Sequence, residues 1–305
     1  MSASLEPVCL PLRLGEITLS DLWLCMSVDK THFLDNHDPD IPHAAKAMGD
    51  GHLVRSCPLD KPLPRLSFFN GYVRYVPTQY RRHYIDLSIG WESYQSQFSS
   101  KSRQTLRRKI RKFAEASNGR IDWRCYTRPE DLTEFYALAR EVSKVTYQER
   151  LLDAGLPDNP KFVERSRQLA SMDRLRAYLL FLNAEPVAYL YCPVQDGVLL
   201  YEYLGYTPSA ASLSPGTVLQ WFALESLFVE GRFRVFDFSE GDGSHKAYFG
   251  SDHQICADLY LLKPRARPIA VALSHATVTA FSDGGTWVAD RLGLKQRVKR
   301  MIRRF

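Results

Sequence analysis

Residues 201–250 constrain the fold more than any other part of the chain. Residues 201–206 are rich in aromatic side chains and predict a strand. Ser214 and Pro215 are typical of a helix start, and Gly231 ends the apolar-periodic run that follows them. Residues 235–238 predict a second strand. This order is a crossover, in which the two strands can run parallel and leave a crevice where they separate.

The start of the predicted helix is a candidate anion site. Gly216 and Thr217 present backbone N–H groups in the first turn, where a helix has no carbonyl to accept them. The functional interpretation is a cradle for a phosphate or pyrophosphate, and the alternative is an ordinary capped helix packed on a sheet. Because the chain has no G-x-G-x-x-G and no Walker lysine after this turn, P-loop and Rossmann cradles are poorly supported.

The order of predicted elements indicates a mixed α/β fold. Two helical patterns precede residues 175–206, which predict three strands joined by tight turns at 183–186 and 195–197. Strands joined by tight turns are antiparallel, whereas the crossover allows one parallel pair. We therefore expect a central mixed sheet that is mostly antiparallel.

Composition narrows the classes of protein. With 305 residues, 45% of them hydrophobic and 24% charged, the chain can form one large or two modest globular domains. No apolar run is long enough to span a bilayer, and no secretory signal is visible. The six cysteines lack C-x-x-C spacing and the eight histidines lack metal-ligand spacing. We expect a cytoplasmic protein with reduced thiols and no metal.

The net charge of +6 is concentrated in two predicted helices. Residues 99–113 carry seven lysines or arginines and residues 295–305 carry six, and neither segment has an acidic residue. The first is either a solvated face or a surface that attracts a phosphate-bearing ligand. The second can dock on the body of the protein or contact the inner face of an anionic membrane. Neither has the interleaved aromatic residues of a base-stacking surface, so we expect no general nucleic-acid binding.

Four motifs together resemble the GNAT acyltransferase superfamily, and more narrowly its CelD-like or FemAB-like branch. They are K-x-R-x-x-L-R-R at residues 101–108, E-P-V-A at 185–188, S-P-G-x-x-L at 214–219, and D-F-x-x-G at 237–241 followed by Lys246 and Phe249. Two positions depart from the family pattern, since Ala184 replaces a glycine and His245 replaces the tyrosine that usually precedes the lysine.

The resemblance implies a domain organisation. It covers about half of the chain and implies a GNAT acyltransferase domain at residues 99–267. Its relatives imply that residues 1–98 form a degenerate GNAT-like sister domain, which makes two tandem halves. Residues 268–305 would then be a basic helical tail.

The resemblance also implies an activity, the transfer of an acyl group from a thioester to an amine or hydroxyl. Acyl-CoA is the expected donor, and products in polysaccharide, cell-envelope or lipid-linked metabolite synthesis are expected. The pantetheine arm would pair with the strand that contains Tyr203, Leu204 and Gly205. The residues expected to hold the pyrophosphate are Ser214, Gly216 and Thr217, with Arg103 and Arg107 of the basic helix. Acyl carrier protein and, in FemAB-like relatives, aminoacyl-tRNA are the alternative donors.

Acyl transfer needs a base for the acceptor, a donor for the oxyanion and an acid for the leaving thiolate. Glu202 is our candidate base, and Asp237 or Glu240 could act through a water. Lys246 could bind the acceptor or stabilise the oxyanion, and Tyr248 or Tyr203 could protonate the thiolate.

Purely structural roles are the alternatives for two of these residues. Asp237 can simply cap the turn that follows it, and Lys246 can pair with Asp237 as a buried ion pair. A different class of function also stays open, a non-catalytic module that binds RNA or anionic lipid through its basic helices.

Overall fold

The computed structural model of the protein describes residues 5–14, 17–29, 48–146 and 155–291. The strands are β1 (Leu5–Leu14), β2 (Ile17–Asp29), β3 (Gly51–Pro58), β4 (Leu66–Phe69), β5 (Tyr72–Tyr75), β6 (Gln79–Asp86), β7 (Asp122–Tyr126), β8 (Leu175–Leu182), β9 (Glu185–Gln195), β10 (Val198–Leu200), β11 (Tyr203–Tyr206), β12 (Val235–Asp237) and β13 (Asp252–Leu262). The helices are α1 (Trp91–Ser96), α2 (Ser100–Ala116), α3 (Leu132–Lys144), α4 (Pro160–Ser171), α5 (Pro215–Glu230), α6 (Ser244–Phe249) and α7 (Ala266–Arg291).

The chain forms two compact units, one from residues 1–81 with 254–305 and one from residues 82–253. The sequence instead predicts boundaries at 98/99 and 267/268. The difference arises because β13 pairs with β3 and β5, and α7 packs on β1, so the end of the chain contributes to the first unit. That residues 1–98 are a degenerate relative of the second unit stays a prediction, and residues 295–305 lie outside the described residues.

In the first unit, β1 and β2 form an antiparallel pair, β2 runs parallel to β3, and β13 joins β3 to β5. Alternate residues of these strands face one core, which includes Met26, Leu53 and Tyr260. Ala272 of α7 lies in the same core, and the Tyr75 hydroxyl is 2.6 Å from Nδ1 of His275. No helix in the described part of the chain is both long and apolar enough to cross a membrane.

The second unit has a mixed sheet with the strand order β6, β12, β10, β9, β8, β7. β10 and β12 are parallel, as the crossover predicted, and the other neighbouring pairs are antiparallel. The predicted mixed and mostly antiparallel sheet is therefore confirmed.

Two cores cover the two faces of this sheet. Even-numbered residues of β9 such as Leu190 and Cys192 face a core shared with α1, α2 and α5. Odd-numbered residues such as Tyr189 and Tyr191 face a second core, which α3 and α4 complete. We call these the α5 face and the α3 face. This alternation is the period of two that a strand imposes on its side chains.

The extended segment that follows β9 changes its pairing partner at residues 201 and 202, between β10 and β11. The N–H of Tyr201 still donates to the carbonyl of Asp237 on β12 at 2.8 Å, but the N–H of Glu202 donates to Tyr191 on β9 at 3.2 Å. Beyond this point β11 pairs only with β9 among the described strands. The edge of β11 that would have continued along β12 is therefore open.

Candidate functional site

A cavity of about 380 Å³ lies beside β11 and the start of α5. The residues that line it are Tyr201, Leu204, Tyr206, Ala211, Ser214, Gly216, Thr217, Gln220, His245 and Phe249. A volume of this size is typical of a pocket for a small molecule or for the arm of a cofactor.

The first turn of α5 has two backbone N–H groups without an acceptor. Ser214 occupies the N-cap position in the left-handed conformation, with φ 56° and ψ 47°, and its side chain makes no capping hydrogen bond. Its carbonyl accepts from Val218 at 3.1 Å. Within the described residues, no hydrogen bond engages the N–H of Gly216 or Thr217. Two donors and the positive end of the helix dipole thus remain available to an anion at the cavity wall.

Glycine at position 216 allows β11 and α5 to approach each other closely. A Cβ atom there would lie 3.2 Å from Cδ2 of Leu204 and 3.3 Å from Cδ1 of Tyr206. Both distances are shorter than ordinary contacts between carbon atoms. The free amides therefore lie directly against an apolar wall.

Two lysines of the basic helix α2 reach the same helix start. Nζ of Lys109 is 3.4 Å from Oγ1 of Thr217, and Nζ of Lys112 donates to the carbonyl of Ser212 at 3.1 Å. Their charges add to the attraction for an anion at the N-terminus of α5.

Gln220 lies on α5 one turn beyond Gly216. Its side chain is buried, with 2% of the residue exposed, and its Nε2 atom has no hydrogen-bond partner among the described residues. A buried amide without a partner costs free energy, so this donor is unusual in a folded core.

One wall of the cavity is formed by His245 and Phe249 of α6 together with Tyr201. The ring centroids of Tyr201 and His245 are 6.0 Å apart. Partial burial lowers the pKa of His245, and the charge of the neighbouring Lys246 lowers it further. A lowered pKa favours the neutral imidazole, which can accept a proton.

Glu202 projects from the point where the strand divides. Its Oε1 atom is 3.9 Å from Nη1 of Arg165, and its Oε2 atom is buried without a hydrogen-bond partner among the described residues. Burial raises the pKa of the carboxyl group, while the charge of Arg165 opposes this rise. A carboxylate with one unpaired oxygen and a raised pKa is suited to take up a proton.

Comparison with known proteins identifies the second unit. Residues 100–247 match the family model described as acetyltransferase (GNAT) domain. This segment is a GNAT domain. The resemblance to the GNAT superfamily that was drawn from the motifs is thereby confirmed. No curated protein matches the chain significantly.

Several solved structures are similar to the chain at low identity. L-PGS from Bacillus licheniformis is 14% identical over 74% of this chain and 72% of its own, with a TM-score of 0.49. FemX is 10% identical over 88% and 90%, also with a TM-score of 0.49. A GCN5-related N-acetyltransferase from Kribbella flavida is 12% identical over 63% and 61%, with a TM-score of 0.34.

The GNAT domain brings together only some of the residues predicted for the donor. Leu204, Ser214, Gly216 and Thr217 line one cavity. Gly205 is buried nearby, where a Cβ atom would lie 2.5 Å from the ring of Tyr189.

Tyr203 faces away from the cavity. Its ring packs on the α3 face against Phe162 and Tyr191, at centroid distances of 5.7 and 6.1 Å. Burial raises the pKa of its hydroxyl, and the nearby charge of Glu202 raises it further.

The two arginines predicted to bind the donor lie away from the first turn of α5. Nη1 of Arg103 donates to the carbonyl of Phe98 at 2.9 Å. Arg107 lines a separate open hollow of about 440 Å³ on α2 with Arg108 and Arg111. Lys109 and Lys112 reach the start of α5 instead, but the sequence pattern of α2 does not distinguish them from its other cations.

The predicted catalytic residues are dispersed. Nζ of Lys246 donates to the carbonyl of the exposed Glu240 at 2.5 Å, and burial lowers the pKa of the lysine. The Tyr248 hydroxyl donates to the carbonyl of Ser102 at 3.2 Å, and burial raises its pKa. No direct contact joins either residue to Glu202 in the described part of the chain.

Asp237 is fully buried in an ion pair. Nε of Arg82 is 3.1 Å from both carboxylate oxygens, and Nη2 is 2.6 Å from Oδ2. The N–H of Ser239 also donates to Oδ1 at 2.8 Å, which is the turn cap that the sequence suggested as an alternative. The direct ion-pair partner is Arg82, and Lys246 influences Asp237 only at longer range.

Asp237→Asn should lower the free energy of unfolding by about 3 kcal/mol, because it replaces the buried carboxylate that accepts from Arg82 by a neutral amide. Urea unfolding monitored by tryptophan fluorescence measures this change. Glu115→Gln is the matched control, because its pair with Arg111 is exposed and its loss should cost less than about 0.5 kcal/mol. Unchanged stability in Asp237→Asn together with lost activity would contradict the structural role.

Proposed function

We propose that the protein transfers an acyl group from acyl-CoA to an amine or hydroxyl acceptor. One observation carries the proposal. Among the described residues, the backbone N–H groups of Gly216 and Thr217 have no hydrogen-bond acceptor, and both residues line a cavity beside an unpaired strand edge. An anion and an extended chain that carries amides are the ligand features that such a site complements.

In this proposal the diphosphate of CoA binds the first turn of α5 and the side chains of Lys109 and Lys112. The pantetheine arm follows the open edge of β11, which is about 13 Å long for four residues. The thioester then lies near Tyr201, where the strand leaves β12. Both Glu202 and His245 are close to that point along the chain or across the cavity.

The reaction itself requires no metal. The acceptor nitrogen or oxygen attacks the thioester carbonyl, its proton passes to a base, the C–S bond breaks, and the CoA thiolate takes up a proton. We assign the base to Glu202, whose unpaired Oε2 atom and raised pKa favour proton uptake. Lys246 is proposed to bind an anionic group of the acceptor or to stabilise the oxyanion.

A second donor, aminoacyl-tRNA, is favoured by a different observation. The outer face of α2 exposes Arg107, Arg108 and Arg111 beyond the cavity, and this charge is available to a polyanion larger than CoA. Binding of tRNA that weakens steeply with salt, without any binding of CoA, would favour this donor.

Acetyl-CoA should raise the melting temperature of the wild-type protein by several degrees at millimolar concentration, whereas adenosine should not, because only the former supplies the diphosphate and the arm. The double variant Lys109→Ala/Lys112→Ala should weaken CoA binding about tenfold through loss of two charges at the helix start. A thermal-shift assay measures the melting temperatures, and isothermal titration calorimetry measures the CoA affinities of the wild type and the double variant.

Lys101→Ala/Arg108→Ala is the matched control, because it removes the same charge from α2 at positions that make no described contact with α5. Its CoA affinity should change less than threefold, or about 0.7 kcal/mol. Equal losses in the two double variants would indicate general attraction rather than a site at α5, and no stabilisation by acetyl-CoA would remove the proposal.

Glu202→Gln should lower kcat about 100-fold without changing the dissociation constant of acetyl-CoA, because the amide cannot accept the acceptor's proton. A base acts when deprotonated, so wild-type activity should rise with pH through a pKa that lies above the usual carboxyl value of 4.5. This rise on the acid side of the pH–activity profile should be absent from Glu202→Gln. Release of free CoA thiol with a panel of amines measures the rate.

His245→Gln is the comparison for this experiment. It removes the imidazole in the cavity but leaves Glu202 intact, so the carboxyl-dependent rise should persist. A His245→Gln enzyme without activity, beside a Glu202→Gln enzyme at the wild-type rate, would move the role of base to His245.

A further inference from the structure

We infer that Gln220 is a specificity residue whose side-chain amide donates a hydrogen bond to the first carbonyl of a phosphopantetheine arm. This inference rests on the proposed function, because it concerns a ligand in the same cavity. It adds a contact that recognises the acyl donor, made from the interior of α5, to the contacts at the helix start.

The first support is the unmet hydrogen-bonding capacity of Gln220. The residue is 2% exposed, lines the cavity, and has no partner for Nε2 among the described residues. Leaving such a donor unpaired destabilises the free protein, whereas an apolar residue of similar size would not. A ligand carbonyl in the cavity would supply the missing acceptor.

The second support is the spacing along α5. Gln220 follows Gly216 by four residues, so both lie on one face of the helix and about 6 Å apart along its axis. In phosphopantetheine, four bonds separate the phosphate ester oxygen from the pantoyl carbonyl carbon, which is about 5 Å in an extended chain. A phosphate bound at Gly216 therefore brings this carbonyl within reach of Gln220.

The third support is the apolar wall between these two polar positions. Leu204 and Tyr206 are the side chains that a Cβ atom at Gly216 would meet first. In phosphopantetheine, a carbon with two methyl groups separates the phosphate from the carbonyl. The order anion, apolar group, carbonyl in the ligand thus matches the order free amides, apolar wall, buried amide donor in the cavity.

A nucleotide diphosphate offers the anion without the carbonyl. A site built around a buried polar group discriminates against ligands that leave the group unpaired. Gln220 would therefore favour carriers with a pantetheine arm over ADP or ATP, while the first turn of α5 binds the phosphates of all of them.

Isothermal titration calorimetry of wild type and Gln220→Leu with CoA, 4′-phosphopantetheine and 3′,5′-ADP tests this inference. The variant should bind CoA and 4′-phosphopantetheine about tenfold more weakly, which is the effect of one hydrogen bond. Its affinity for 3′,5′-ADP should be unchanged. The free variant should also melt at a higher temperature than wild type, because the unpaired amide is gone.

Gln220→Met retains the side-chain length and should give the same pattern, which guards against a packing effect of leucine. Gln168→Leu, an exposed glutamine on α4, should alter none of the affinities. Unchanged CoA affinity in both Gln220 variants, or an equal loss for 3′,5′-ADP, would overturn the inference. A wild-type protein that binds neither CoA nor 4′-phosphopantetheine would instead remove the proposed function itself.

Discussion

The exchange of one backbone hydrogen bond underlies the whole candidate site. The N–H of Tyr201 bonds to β12, and the N–H of the next residue bonds to β9. This change opens the edge of β11 and places Leu204 on the α5 face and Tyr203 on the α3 face, while the carboxylate of Glu202 lies 3.9 Å from Arg165 of α4. A donor arm along β11 would thus have its reactive end at a break that gives access to side chains of both faces.

The electrostatics of the GNAT domain follow the same geometry. At the start of α5, free amides, the helix dipole and the lysines of α2 all favour negative charge. Near the break in the strand, burial instead favours the uncharged form of two side chains, because it raises the pKa of Glu202 and lowers the pKa of His245. One part of the site is suited to hold a phosphorylated carrier and the other to move protons. Asp237 belongs to neither part, because Arg82 and the N–H of Ser239 engage its carboxylate.

Much of this arrangement could be predicted from the sequence, because its signals are local. The helix start at Pro215, its end at Gly231, the tight turns and the aromatic strand all depend on the preferences of short segments. The break at residues 201 and 202 could not, since hydrogen-bond register is decided by neighbouring strands. The roles of the α2 cations depend on how that helix packs, so the sequence predicts Arg103 and Arg107 as ligands of the donor, although Lys109 and Lys112 make the contacts at the start of α5. Gln220 did carry a signal, a polar residue four positions after Gly216 in an apolar run.

The central claim is that the first turn of α5 holds the phosphates of a thioester carrier. The most direct measurement is a crystal structure of the protein with CoA bound. We predict diphosphate oxygens about 2.9 Å from the backbone nitrogens of Gly216 and Thr217, with the pantetheine arm along the open edge of β11. A CoA molecule bound elsewhere, with this first turn facing only solvent, would contradict the account.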